Sequence, residues 1–184
     1  MENHSEEKID YIYCSQVLKS LDYSNSVTSP AKLSKNLKLR PLQTDDYHKG
    51  YLELLSQLTD VGTVDEKQFI ERFNQMKSDG KYYITVIEDC DRNRVICSAT
   101  LFTEYKFIHN ASKRARIEDV VVDSDYRGQR LGHLIIETLK LLAQKLDCYK
   151  LTLDCRDEMI GWYNKLGFIA IPTRANMLTI RFIS

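Results

Sequence analysis

The 184-residue chain predicts a mixed-sheet α/β domain, and three observations lead there. Its apolar residues switch between strand alternation and helical spacing in the order β-α-α-β-β-β-α-β-α-β-β. Its apolar fraction of 43% is ordinary for a globular chain, so a core can form. A β-branched run, Ile117 to Val122, leads into a glycine-flanked loop that opens a long amphipathic helix.

Residues 1–36 read as a polar tail. Ile9, Ile12, Tyr13, Val17 and Leu21 make one amphipathic stretch there, which either docks as a short helix or stays loosely ordered. Ser29-Pro30 and the lysines after it look like a linker, so the domain proper is expected over residues 37–184. Leu37, Leu39 and Pro41 alternate with Lys38 and Arg40, which suits an edge strand. Thr44-Asp45-Asp46 is a helix start, followed by Tyr47, Tyr51, Leu54, Leu55 and Leu58 at helical spacing. A second helix is expected after Asp65, with Phe69, Ile70, Phe73 and Met76 on one face and Gly80 ending it. Tyr82 to Glu88 and Val95 to Tyr105 form a hairpin across Asp89 to Arg94. Leu131, Leu134, Ile135, Thr138, Leu139, Leu142 and Leu146 give a helical stripe that reads as core. Leu151 to Leu153 form a strand, Met159 to Leu166 a short helix closed by Gly167, and Phe168 to Ile171 and Met177 to Ile183 two last strands.

Composition excludes several classes. Lys+Arg and Asp+Glu balance at 26 each, so bulk attraction to nucleic acid or to an anionic membrane has no support. A local basic cluster remains, of Lys106, Lys113, Arg114, Arg116, Arg127 and Arg130; it is either a phosphate site or a solvated face. Five cysteines without a C-x-x-C pair suggest neither a disulfide framework nor a metal ribbon, and no metal is expected. Cys97, Cys148 and Cys155 lie in apolar stretches and are expected in the core. The N-terminus is unlike a signal peptide, and no apolar run reaches the roughly 18 residues of a membrane span. A reducing, cytoplasmic setting is the expectation.

The segment from Arg116 to Gly132 carries the functional signal. A helix start has unpaired backbone N–H groups at the positive end of the peptide dipole, which suits phosphate. Gly128 and Gly132 carry no side chain to keep a ligand's oxygens away from those groups. Glu118 and Asp119 lie just upstream, and strand alternation predicts that they face opposite sides of the sheet. The bland alternative is an ordinary capped helix following a strand with surface carboxylates.

The strand Val120-Val121-Val122, then Arg127-Gly128-x-x-Leu131-Gly132, then Gly161-Trp162-Tyr163-x-x-x-Gly167-Phe168, resembles the acetyl-CoA-dependent N-acetyltransferase (GNAT) superfamily. Five further pieces are Gln57-Leu58-Thr59, Tyr82 to Val86, Lys106-Phe107-Ile108-His109, Glu118 to Val122 and Cys148-Tyr149-Lys150. In order and spacing they are similar to the eukaryotic branch that acetylates glucosamine 6-phosphate. The resemblance implies a central mixed, mostly antiparallel twisted sheet flanked by helices, with acetyl-CoA at the strand–loop–helix around residues 120–133. It also implies a homodimer whose sugar sites take residues from both chains.

By the same resemblance, Val120, Val121 and Val122 hold the pantetheine arm and the thioester oxygen. Arg127, Gly128, Gln129, Arg130, Leu131, Gly132 and His133 hold the pyrophosphate, and Tyr163 contacts the cofactor and protonates the leaving sulfur. Thr59, Lys106, Phe107, Ile108, His109, Glu118, Asp119, Val120, Tyr149, Lys150 and Arg181 line the sugar phosphate site, Arg181 with the fork that suits phosphate. Of the carboxylates at the chemistry, Asp119 is expected to accept hydrogen bonds from sugar hydroxyls or the amine, and the general base is left open between Glu118 and Asp154 or its backbone carbonyl. The amine attacks directly, so no enzyme nucleophile is needed, and none is evident. Met159 stands where relatives usually carry an asparagine touching the CoA arm, and it cannot supply the amide's hydrogen bonds. Two other readings compete: a GNAT enzyme acting on another small amine or a protein, and a non-catalytic acyl-CoA-binding module.

Overall fold

The computed structural model describes residues 10–171 and residue 180. The chain divides into two compact units, Met1–Asp154 and Cys155–Ser184. In the first, five strands form one sheet in the order β1 (Leu37–Pro41), β2 (Tyr82–Asp89), β3 (Arg94–Tyr105), β4 (Lys113–Val122) and β5 (Cys148–Thr152). Neighbours from β1 to β4 are antiparallel, and β4 pairs with β5 in parallel. The helices are α1 (Gln16–Lys19), α2 (Tyr51–Ser56), α3 (Glu66–Asp79), α4 (Ile108–Ala111), α5 (Leu131–Lys145) and, in the second unit, α6 (Ile160–Asn164). No helix among the described residues is long and apolar enough to cross a membrane.

Both faces of the sheet are covered. Ile84 and Val86 of β2 join Tyr51, Leu54, Phe69 and Phe73 of α2 and α3 in one buried cluster. Thr85 and Ile87, which alternate to the other face, are buried as well. Helix α5 packs on β2 to β5 and buries Leu131, Leu134, Ile135, Leu139 and Leu142, the stripe read from the sequence.

Helix α3 starts as its sequence predicts. Gln68 N–H donates to Asp65 Oδ1 at 2.8 Å while Gln68 Oε1 accepts from Asp65 N–H at 2.9 Å, and Gly80 ends the helix at φ +68°. The helix expected to run from Thr44 through Leu58 is instead a 3-10 turn (Thr44–Tyr47) followed by α2. The break has a cause. The Lys49 carbonyl accepts from Val95 N–H at 2.9 Å, and Gly50 then turns left-handed at φ +72° before α2 begins.

Residues 10–36 belong to the first unit and pack on the rest of it. Tyr11 bridges Gln43, Ile12 N–H donates to the Leu42 carbonyl at 2.9 Å, and Ile12 and Leu18 are buried. Tyr13 meets Thr85 at 2.6 Å, Tyr23 meets Thr138 at 2.8 Å, and the Ser26 hydroxyl donates to Glu137 at 3.0 Å.

Two further expectations are corrected. Cys97 is buried, but Cys148 is only partly so and Cys155 is exposed, because β5 ends at Thr152, before Cys155. Residues 168–171 form no strand: Phe168 N–H is bonded to the Tyr163 carbonyl at 3.2 Å, and Ile169 and Ile171 are exposed. The strand expected over residues 177–183 lies outside the described residues.

Candidate active site

Two features of β4 shape the region singled out in the sequence. The first is a bulge. Ser98 opposes Val121 and Thr100 opposes Glu118, so Asp119 and Val120 together face the single residue Ala99. Asp119 takes φ +52°, a left-handed conformation that Asp tolerates better than most residues. Alternation fails there, and the expectation of opposite faces is corrected: Glu118 and Asp119 are both exposed and line the same cavity.

The second feature is a split in the sheet. Pairing between β4 and β5 runs from Lys113 to Arg116 and stops there, while β4 continues to Val122. On that side, Ile117 to Val122 have no strand partner among the described residues. That unpaired edge offers strand-like backbone groups to an extended chain that carries amides.

The cavity beside the bulge is about 430 Å³ in volume. Its wall is mostly apolar, with Tyr51, Leu55, Phe69 and Phe73, while Arg72 and Thr100 join the two carboxylates as polar groups. Partial desolvation at the cavity wall, and then the neighbouring Glu118, raise the Asp119 pKa above the usual carboxylate value. Arg116 donates to both Glu118 and Asp154, and these bonds help hold the guanidinium protonated.

Beyond Val122 the chain makes a 3-10 turn (Ser124–Tyr126) and reaches the loop before α5. Gly128 sits at φ +82° with open space where a side chain would stand. Arg130 precedes α5 at φ +61° and supplies no side-chain cap to its first turn. These features fit a pyrophosphate: the start of a 15-residue helix has no side-chain cap at Arg130 and is reached through two left-handed residues, and helix starts of this kind suit anions. The Arg127 Nε–H donates to the Val122 carbonyl at 3.4 Å, tying the loop to the strand end.

The residues expected around the sugar phosphate fall in three places. Thr59 is exposed in the loop after α2. At the β3–β4 turn, Lys106 pairs with Glu104, whose carboxyl is pulled below its usual range by Lys106 and Arg114. Phe107 is fully exposed and Ile108 largely so. His109 stacks on Tyr149 at 4.2 Å, and Lys150 Nζ lies 5.6 Å from that same ring, so the turn and β5 meet. Three consecutive residues of this turn, His109, Asn110 and Ala111, have positive φ. Arg181 lies outside the described residues.

Within the second unit, Tyr163 is buried on α6, its ring 4.7 Å from Trp162 and 5.8 Å from Phe168, both edge-on. Burial, and secondarily Cys155, pushes its phenol pKa up. Met159 directly precedes α6 and is partly exposed.

Gln57, part of one fragment that carries the resemblance, has a role in the structure that the sequence did not indicate. Gln57 Nε2 donates to Asp123 Oδ2 at 3.1 Å, and its Oε1 accepts from Ser124 N–H at 2.9 Å. Arg94 also reaches Asp123 Oδ2, at 2.8 Å, and Asp123 itself is only 1% exposed. A polar residue after a short helix gives no hint of such a contact 66 positions away.

Residues 39–168 match the acetyltransferase (GNAT) family. A probable glucosamine 6-phosphate N-acetyltransferase of Drosophila melanogaster is 48% identical over 94% of this chain and 82% of its own length. Glucosamine 6-phosphate N-acetyltransferase 1 of Dictyostelium discoideum is 45% identical over 72% of this chain and 84% of its own. The crystal structure of glucosamine-6-phosphate N-acetyltransferase from Arabidopsis thaliana superposes with a TM-score of 0.77 at 35% identity, covering 81% of this chain and 100% of that one.

Proposed function

Because the chain belongs to the acetyltransferase (GNAT) family, a family that uses acetyl-CoA, we propose that it acetylates the 2-amino group of glucosamine 6-phosphate. The products are N-acetylglucosamine 6-phosphate and CoA, a step towards UDP-N-acetylglucosamine. The relatives of that name, aligned over most of the chain, support the substrate. The observation that carries the chemistry is the bulge at Asp119, which turns both carboxylates to one cavity beside the unpaired edge of β4.

Acetyl-CoA supplies an acyl thioester, which the sugar amine attacks directly in a ternary complex. Backbone groups of Val120 to Val122 hold the pantetheine arm, and the loop from Arg127 to His133 holds the pyrophosphate. A single anion at a helix end gains only about 0.3–2 kcal/mol from the dipole, so several N–H bonds act together. Asp119 accepts hydrogen bonds from the amine and hydroxyls, and its raised pKa suits it to take a proton. Arg116 occupies one side of both Glu118 and Asp154 and so fixes their orientation. Tyr163 hands its proton to the departing sulfur. Thr59, Lys106 to His109, Tyr149, Lys150 and Arg181 bind the sugar phosphate. The exposed Tyr105, Phe107 and Ile108 support a homodimer that covers them and shares the sugar site.

One assay tests the reading: purified protein, acetyl-CoA and a panel of amines, with thiol release followed. Release with glucosamine 6-phosphate, and far less with glucosamine, is expected. Release only with other amines, or CoA binding without release, overturns it.

A further inference from the structure

We propose that Gln57 is a positioning residue that couples acceptor binding to the cofactor loop. The proposal rests on the functional reading above.

Two hydrogen-bonded turns meet at this side chain. On one side, Gln57, Leu58 and Thr59 close the end of α2: their N–H groups donate to the carbonyls of Leu54, Leu55 and Leu55 at 3.1, 2.9 and 3.2 Å. Gln57 and Thr59 therefore belong to one hydrogen-bonded turn. On the other side, Tyr126 N–H donates to the Asp123 carbonyl at 2.9 Å and Asp125 N–H to the Asp123 carboxylate at 3.0 Å, which fixes the turn that feeds Arg127 and Gly128. The Gln57 amide joins the two with both of its ends, its N–H₂ to the Asp123 side chain and its oxygen to Ser124 N–H.

The Asp123 carboxylate is buried, so its oxygens need partners, and Gln57 shares Oδ2 with Arg94. If the acceptor draws Thr59 into place, Gln57 is fixed with it, and Asp123 and Ser124 lose freedom at the root of the cofactor loop. Binding at one site then favours binding at the other, and the effect is reciprocal. A lone structural staple would hold the loop equally with or without acceptor.

The test uses the dead-end complex of CoA with glucosamine 6-phosphate, in which no acetyl group is transferred. In the wild-type protein, glucosamine 6-phosphate should tighten CoA binding by about fivefold or more, a usual size for coupled sites. Gln57→Met, which keeps the side chain's length and removes both hydrogen bonds, should bring that ratio to about one. Its CoA affinity without the sugar should change far less. Should Gln57→Met fail to fold, Gln57→Leu carries the same test: it too lacks both the donor to Asp123 and the acceptor for Ser124 N–H. Absent coupling in the wild type, or coupling retained in the folded variant, overturns the proposal. Wild-type turnover without coupling sinks this inference alone, whereas no turnover of glucosamine 6-phosphate sinks the functional reading beneath it.

Discussion

A phenol that is to protonate a departing thiolate must hold its own proton at neutral pH, as any tyrosine with a pKa of about 10 or more does, and the proposed donor Tyr163 meets that condition. Burial lifts its pKa above the ordinary tyrosine value, while Trp162 and Phe168 fix the ring edge-on. Tyr163→Phe keeps the ring and deletes only the acid, so kcat should fall by about 10²–10⁴-fold. The acetyl-CoA KM should hold within a few-fold. Equal turnover by the two proteins would remove Tyr163 from the chemistry. At this scale the identities of the candidate residues were readable, because motif spacing names them, but their directions were not. Glu118 and Asp119 are adjacent in a strand, and the pleat rule sends adjacent side chains apart. The bulge that cancels the rule depends on two residues of β4 opposing Ala99 of β3, a pairing no local sequence window contains.

Among the elements, the turn from β1 into α2 is held by charge as much as by packing. Arg40 is 3% exposed and forms a fork with Asp46, at 2.6 and 2.8 Å, and a third bond to Glu88 at 2.8 Å. Lys49 adds a bond to Glu88 at 2.9 Å, and Gln43 N–H donates to Asp46 at 2.9 Å. The sequence offered alternation of Leu37, Leu39 and Pro41 with Lys38 and Arg40 on an edge strand, which does not point to a buried arginine. Here the chain beyond β1 folds back over the arginine, and Asp46, fully buried, meets it. Asp46→Asn leaves the shape and removes the charge, so a buried guanidinium loses its main counter-ion. A loss of about 3–5 kcal/mol is expected, read as a lower urea midpoint at unchanged slope. A change under about 1 kcal/mol would show that Glu88 alone satisfies Arg40. Helix α3, by contrast, was fully legible, since Asp65, Gln68 and Gly80 act within a few residues of each other.

Across the whole molecule, tyrosines tie distant segments together, and their titration gives stability a defined pH dependence. Tyr13 anchors the N-terminal segment on Thr85 of β2, and Tyr51 packs α2 against the sheet; burial raises both pKa values well above the ordinary one. The unfolded chain ionises its tyrosines near pH ~10, whereas the folded chain keeps these two neutral. A raised folded pKa means that the contribution is fully present below pH ~10 and is lost as pH climbs towards the folded value. Each such group should therefore cost about 1.4 kcal/mol of stability per pH unit above that point. Tyr13→Phe isolates one of them. Below pH 9 it should lose about 1 kcal/mol, the net worth of the bond to Thr85. Between about pH 10 and 11 its stability should fall less steeply than that of the wild type, by about 1.4 kcal/mol per unit. The two curves, from urea unfolding at a series of pH values, should then converge and cross. Parallel curves throughout that range would mean that Tyr13 ionises as freely in the folded chain as in the unfolded one, and that the N-terminal segment does not seal it from water.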